Sequence, residues 1–255
     1  YRLDLRERNR ESAALVRAVT DSLGKEMTDV NSADLAELVR NHYEDLRTLP
    51  AYVEIDLGEN CDLACTFCPR EKMGRSGLDS GVFMDTEKAL AIVNELAELN
   101  PDASLAFSPY SEPLLHPDFF RILDRAAALG LRVVLETNGI ALDSAVCEKL
   151  ASYDEEKLIV IVSVDVLSAG EYKAYKKKDL YDQVLEGCRH LLERKERNVY
   201  LQILNMEGLS EKIRDFYEFW KEYQDRVLPR KYNSFAGYLP DRAAADFSPL
   251  ERRAC

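Results

Sequence analysis

Ala51-Tyr52-Val53-Glu54-Ile55-Asp56-Leu57 is a short alternating run that passes without a break into Gly58-Glu59-Asn60-Cys61-Asp62-Leu63-Ala64-Cys65-Thr66-Phe67-Cys68-Pro69-Arg70. The first half has the period of two that marks a β-strand. The second half sets three thiols, Cys61, Cys65 and Cys68, on the loop leaving the strand's carboxyl end. Cysteines crowded in this way point to metal binding in a reducing cytosol rather than to a disulfide scaffold. A cytoplasmic location is therefore expected.

Outward from this stretch, apolar β-type runs recur at residues 104–108, 131–136, 158–164, 199–204 and 226–232. Helical patterns separate them at 85–99, 117–129, 142–152, 180–194 and 209–223, the last with Leu209, Ile213, Phe216, Tyr217 and Trp220 on one stripe. Strand and helix in strict alternation predict parallel β/α units. Six such strands fit an incomplete (β/α)6 barrel or an open doubly wound sheet, and periodicity alone does not separate the two. Residues 1–48 are polar with helical spacing, as in Leu35, Leu38, Val39, His42 and Leu46, and predict a helical extension or a linker. The barrel is expected over 49–240.

The chain has 255 residues, 34 basic against 46 acidic, for a formal charge of −12. That balance argues against a nucleic-acid partner held on a broad basic surface. No apolar run approaches the roughly 20 residues of a membrane helix, so no membrane partner is expected. The chain begins at Tyr1 rather than Met, as an excised fragment would.

A 4Fe–4S cluster normally takes four cysteine ligands, so three thiolates leave one iron open to bind another molecule. The bland alternatives are a zinc site completed from elsewhere, by His116 or Cys255, and a closed electron-transfer cluster. Structural zinc usually comes from two paired knuckles, and a second knuckle is missing here. The C-x3-C-x2-C spacing, with aromatic Phe67 before the last cysteine, resembles the radical S-adenosylmethionine superfamily. The resemblance implies the barrel over the open sheet, and a 4Fe–4S cluster and S-adenosylmethionine as cofactors. It also implies a low-potential electron donor and reductive cleavage to a 5′-deoxyadenosyl radical that abstracts hydrogen from a substrate. Phe67 would then help seat the adenine.

In β/α folds the active site lies beyond the strands' carboxyl ends, and polar oddities follow each predicted strand. After the second come Tyr110, Ser111, Glu112 and Pro113. They resemble a Gly-Gly-Glu-Pro-like turn that holds the cofactor's amino group, with Ser111 where glycine is usual. The third strand ends in Glu136-Thr137-Asn138-Gly139, where Asn138 is a cofactor-pocket candidate and a plain Asn-Gly turn is the alternative. The fourth ends in Ser163-Val164-Asp165. By resemblance the serine contacts the cofactor and the acid lies near the substrate; loop capping is the alternative. Tyr172-Lys173-Ala174-Tyr175-Lys176 resembles a Tyr-x3-Arg element in which Lys176 would face the cofactor carboxylate, against a solvated charge run. Gln202 sits between apolar neighbours on the fifth strand and is either a pocket residue or a satisfied core amide. Cys147 and Cys188 pattern as core residues.

The stretch from Arg230 to Cys255 resembles the connection into a SPASM domain, with Arg253-Ala254-Cys255 lacking the usual proline. Residues 241–255 are thus expected to begin a truncated SPASM-like region, of the kind found in spirochaete proteins. Such relatives often modify peptides, so a peptide or protein is the expected substrate and a small metabolite the alternative. Two rival functions stand beside this one: a degenerate cluster-binding scaffold, suggested by Ser111 and Lys176, and a zinc or electron-transfer module without turnover.

Overall fold

The computed structural model describes residues 50–70, 72–73, 81–107, 110–235 and 237–243. The expected helical extension over 1–48, Ser108, Pro109, and the tail from 244 with Cys255 lie outside the described residues. The described residues fall within one compact unit, Pro50–Cys255.

Six strands carry the fold: β1 (Tyr52–Ile55), β2 (Ser104–Phe107), β3 (Arg132–Thr137), β4 (Leu158–Ser163), β5 (Val199–Asn205) and β6 (Val227–Lys231). They form one sheet in the order of the chain, every neighbouring pair parallel. Among the described residues no ladder returns from β6 to β1, so the sheet is an open partial barrel. Each crossover runs through helix: α1 (Thr86–Leu99), α2 (Phe119–Ala128), α3 (Ser144–Ala151), α4 (Ala169–Lys176), α5 (Tyr181–Arg194) and α6 (Ile213–Phe219). The starts of three are fixed by side-chain caps. Asp85 accepts from the Lys88 amide, Asp143 from Val146 and Ser168 from Glu171, satisfying donors that a helix leaves open.

Side chains alternate across each strand, and register turns that alternation into two layers. Ile55, Phe107, Leu135, Val160 and Val199 are paired in sequence across five strands and are all buried, at 7% exposure or less. Each such side chain contributes on the order of 2 kcal/mol by leaving water. The other layer faces the concave side. It includes Glu54, Val134, Glu136, Ile161, Ser163, Gln202 and Arg230, most of them only partly buried.

Two details depart from the expected pattern. The 209–223 stretch is a 3-10 turn (Ser210–Lys212), α6, and a second 3-10 segment (Lys221–Arg226), with the break at Trp220. Helix α4 was absent from the predicted set. It ends at Lys177, whose φ of 64° lies in the left-handed region. Among the described residues, no helix is long and apolar enough to cross a membrane.

Candidate functional site

The loop after β1 is fastened from three sides. Thr66 and Ala64 donate backbone amides to the carbonyls of Tyr175 (2.8 Å) and Lys176 (3.4 Å), so the loop satisfies carbonyls that the end of α4 would leave open. The Glu112 amide donates to the Asn60 carbonyl at 2.8 Å, and the Asn60 side chain donates to Val82 at 3.1 Å. Arg70 donates to the Glu59 carbonyl. Within this frame Cys68 turns back on Cys65, amide to carbonyl at 3.1 Å.

All three loop cysteines are free thiols at intermediate burial. Burial pushes Cys61 up to about 11 and Cys65 up to about 12, and it raises Cys68 as well. Thiolates of this kind form at neutral pH only against nearby positive charge, which an iron–sulfur cluster supplies. Among the described residues no three His, Cys, Asp or Glu side chains come close enough to enclose a single metal ion. Cysteine sulfurs are the normal ligands of iron–sulfur clusters, so three of them on one loop fit such a group by their chemistry.

Beside the cysteines lies Glu112, 4% exposed. Its carboxylate accepts from the Thr137 hydroxyl (2.7 Å), the Asn138 amide (2.7 Å) and the Leu114 amide (3.2 Å). Burial nevertheless outweighs these donors and pushes Glu112 up to about 7. The Asn138 side chain donates to Asp62 at 2.6 Å and lies 4.0 Å from the Cys61 Sγ. Gly139 has φ +84°, and a Cβ there would sit 2.8 Å from Val162. The Asn-Gly stretch is therefore both a turn and a neighbour of the cysteine loop. Ser111 donates to Asp56 at 2.5 Å, and Pro113 opens a 3-10 turn with Glu112 as its cap.

A second polar group lies at the end of β4. Lys176 and Asp165 form an ion pair at 2.9 Å, each side chain 1% exposed. Lys176 also donates to the Ser163 carbonyl and lies 5.5 Å from the centre of the Tyr172 ring. Burial alone would lower the lysine, but Asp165 chiefly drives it upward, so Lys176 stays charged. Asp165 holds a left-handed φ of 65°. Lys176 is thus no part of a solvated charge run. Gln202 joins the group, donating to Ser163 Oγ at 3.0 Å and to Asp165 at 3.5 Å.

The structure thus brings together Cys61, Glu112 and Asn138 on one side, and Ser163, Asp165, Lys176 and Gln202 on the other. Phe67 and Tyr110 each make a ring contact. Their rings lie 6.5 Å from Tyr175 and 5.9 Å from Phe235. Sequence reasoning missed Asp56, Asp62, Thr137 and Arg230. Thr137 stood inside a quoted stretch, and strand parity with Leu228 would have turned Arg230 toward the concave face.

A profile of the radical SAM superfamily matches residues 55–219. The chain is 26% identical over 241 residues to an uncharacterised protein of Treponema pallidum (strain Nichols), covering 89% of this chain and 67% of that one. It is 26% identical over 171 residues to the GTP 3′,8-cyclase of Psychromonas ingrahamii, covering 66% of this chain and 48% of the cyclase. In fold it is similar to Streptococcus suis SuiB bound to precursor peptide SuiA, with TM-score 0.64 at 16% identity, covering 84% of this chain and 46% of SuiB. It is also similar to anSMEcpe with bound AdoMet, with TM-score 0.55 at 20% identity, covering 71% and 50%. The chain spans about half the length of the cyclase and of these two solved structures. The superfamily match runs from the end of β1 through α6, across the cysteine loop, the Glu112 turn and the buried Lys176–Asp165 pair: the chain belongs to the radical SAM superfamily, whose cofactors are a 4Fe–4S cluster and S-adenosylmethionine.

Proposed function

We propose that this chain is the core barrel of an enzyme that cleaves S-adenosylmethionine reductively and uses the resulting radical to take hydrogen from a peptide or protein. The observation that carries the proposal is the fastening of Cys61, Cys65 and Cys68 on one loop directly beside the buried Glu112 carboxylate. Cys61, Cys65 and Cys68 would hold the cluster. Together with S-adenosylmethionine the cluster supplies one-electron carbon–sulfur cleavage and a carbon radical.

The chain's own residues bind and orient. Glu112, poised near neutrality by burial, meets an ammonium group and becomes fixed in its ionised form. Asn138 points an amide at the Cys61 sulfur. Phe67, Tyr110, Ser111 and Pro113 line the cofactor side, and Ser163 and Gln202 face it from β4 and β5. Lys176 acts from behind, as the counter-ion that holds Asp165 in place. A peptide substrate is supported by the fold likeness to SuiB with its precursor peptide and to anSMEcpe with a bound Cp18Cys peptide. The GTP 3′,8-cyclase relatives support a small metabolite as the alternative. A low-potential electron donor, a cytoplasmic setting, a barrel over 49–240 and a SPASM-like continuation from 241 complete the proposal.

The test is anaerobic reconstitution with iron and sulfide, followed by dithionite and S-adenosylmethionine and measurement of 5′-deoxyadenosine. The expected result is product from the wild type and none from Cys65→Ala. Purified material carrying zinc alone would sink the proposal. An intact cluster whose spectrum ignores S-adenosylmethionine would favour a scaffold without turnover.

A further inference from the structure

One charge pair on the concave face has no role in the function proposed above. In a closed barrel this face is filled by layers of branched apolar side chains. Here Arg230 reaches from β6 to Glu136 on β3, forming an ion pair, and its Nη1 also meets Gln202 Oε1 at 3.2 Å. Arg230 pairs in register with Leu204, two residues beyond Gln202 toward the carboxyl mouth of the barrel. Gln202 gives its amide nitrogen to Ser163 and Asp165, so its oxygen is what remains for the guanidinium. Tyr52 of β1 senses the same pair. Burial, Glu54 and Glu136 raise its phenol while Arg230 lowers it. Side chains of β3, β5 and β6 thus meet in the concavity, within electrostatic reach of Tyr52 on β1.

The arginine end of the pair is accessible: the Arg230 side chain is 45% exposed, against 15% for Glu136. A guanidinium open to water on that side can exchange one carboxylate partner for another. The planar guanidinium fork matches a carboxylate bidentately, and Glu136 already occupies it in the manner of a stand-in. We infer that Arg230 is the anchor for a substrate carboxylate, which takes over the fork from Glu136 at the barrel mouth. The inference deepens the proposed peptide function and rests on it. The carboxylate is either an acidic side chain or a chain terminus.

The test measures fluorescence anisotropy of labelled pentapeptides on the reconstituted holoenzyme. Three peptides distinguish the sources: Ala-Glu-Ala-Glu-Ala with an amidated terminus, its Gln counterpart amidated, and the Gln counterpart with a free terminal carboxylate. At least one carboxylate peptide binds the wild type, and the uncharged peptide does not. Arg230→Gln weakens that binding about tenfold or more, whereas Glu136→Gln tightens it severalfold by removing the competitor. Arg121→Gln, whose partner is the surface residue Glu87, leaves binding unchanged. A merely structural pair would weaken binding in both lumen variants alike. Binding that ignores the carboxylate, no binding at all, or displacement only by inorganic phosphate overturns the inference. The same preparations are assayed for 5′-deoxyadenosine without peptide. Failure there counts against the proposed function, while carboxylate-blind binding by an enzyme that cleaves its cofactor counts against Arg230 alone.

Discussion

Glu112 is a carboxylate held between two opposing effects. Three hydrogen-bond donors favour its ionised form, yet removal from water outweighs them and lifts it from 4.5 to about 7. A raised acid is stabilising only while protonated. Its contribution is therefore complete below about pH 4.5 and is lost as pH rises through about 7. The full swing is on the order of 3 kcal/mol. Urea unfolding of the cofactor-free chain checks this. Between pH 4.5 and 7.5 the wild type should lose stability relative to Glu112→Gln, which cannot titrate. A constant difference between the two across that range would show that the burial penalty is already met by Thr137, Asn138 and Leu114. The carboxyl's tuning was not legible in the sequence, where Glu112 was read by resemblance as part of a turn that holds the cofactor's amino group. Its pKa depends on Thr137 and Asn138 arriving from the next strand.

The packing of elements sets the sign of a glycine substitution. Inside a helix, alanine is ordinarily better than glycine by about 0.5–1 kcal/mol. At Gly187 of α5, however, a Cβ would lie 2.6 Å from the Leu142 carbonyl oxygen and 2.7 Å from its Cβ. The helix approaches the β3–α3 connection closely only because that atom is missing. Gly187→Ala should therefore destabilise by about 1–3 kcal/mol. Gly170→Ala, in α4 with nothing within 4 Å, should be neutral or stabilise by up to about 1 kcal/mol. Urea midpoints for the two variants test the contrast, and equal shifts would refute it. Elements themselves were largely legible, because six apolar runs and five amphipathic helices state their own periods. Helix α4 escaped for a physical reason: its buried residues are Tyr172 and Lys176, so no apolar stripe announces it. The 209–223 stretch read as one helix because periods of 3 and 3.6 look alike over so few residues, and the turn at Trp220 leaves the stripe intact.

Across the whole molecule, the cysteine trio was legible because its members are neighbours in the chain, whereas Arg230 and Glu136 are 94 residues apart and meet only through strand register. The same holds for the strap over the barrel's carboxyl end. Beyond β6 the chain turns and comes back to the end of β5, where Met206 and Ala243 form an antiparallel bridge and the Glu207 amide donates to Arg242 at 2.8 Å. Tyr232 closes the strap by donating to the Pro240 carbonyl at 2.7 Å. Phe235 ties it to the β2 side of the open sheet through Tyr110, but holds φ at 51° to do so. That conformation costs an L-residue roughly 1–2 kcal/mol, and the ring contact at half-burial returns a comparable amount, about 0.5–1.5 kcal/mol. Removing the ring while keeping the strain, as in Phe235→Ala, should loosen the strap most. Phe235→Gly loses the same ring but relieves the backbone, a net advantage over alanine of about 1 kcal/mol. Amide hydrogen exchange at Glu207 and Leu239 should therefore be slowest in the wild type, intermediate in Phe235→Gly and fastest in Phe235→Ala, the two variants separated about fivefold. If glycine instead exchanges fastest, the left-handed turn is held by the rest of the strap rather than against strain at Phe235; if neither variant exchanges faster than the wild type, Tyr110 is a bystander rather than its clasp.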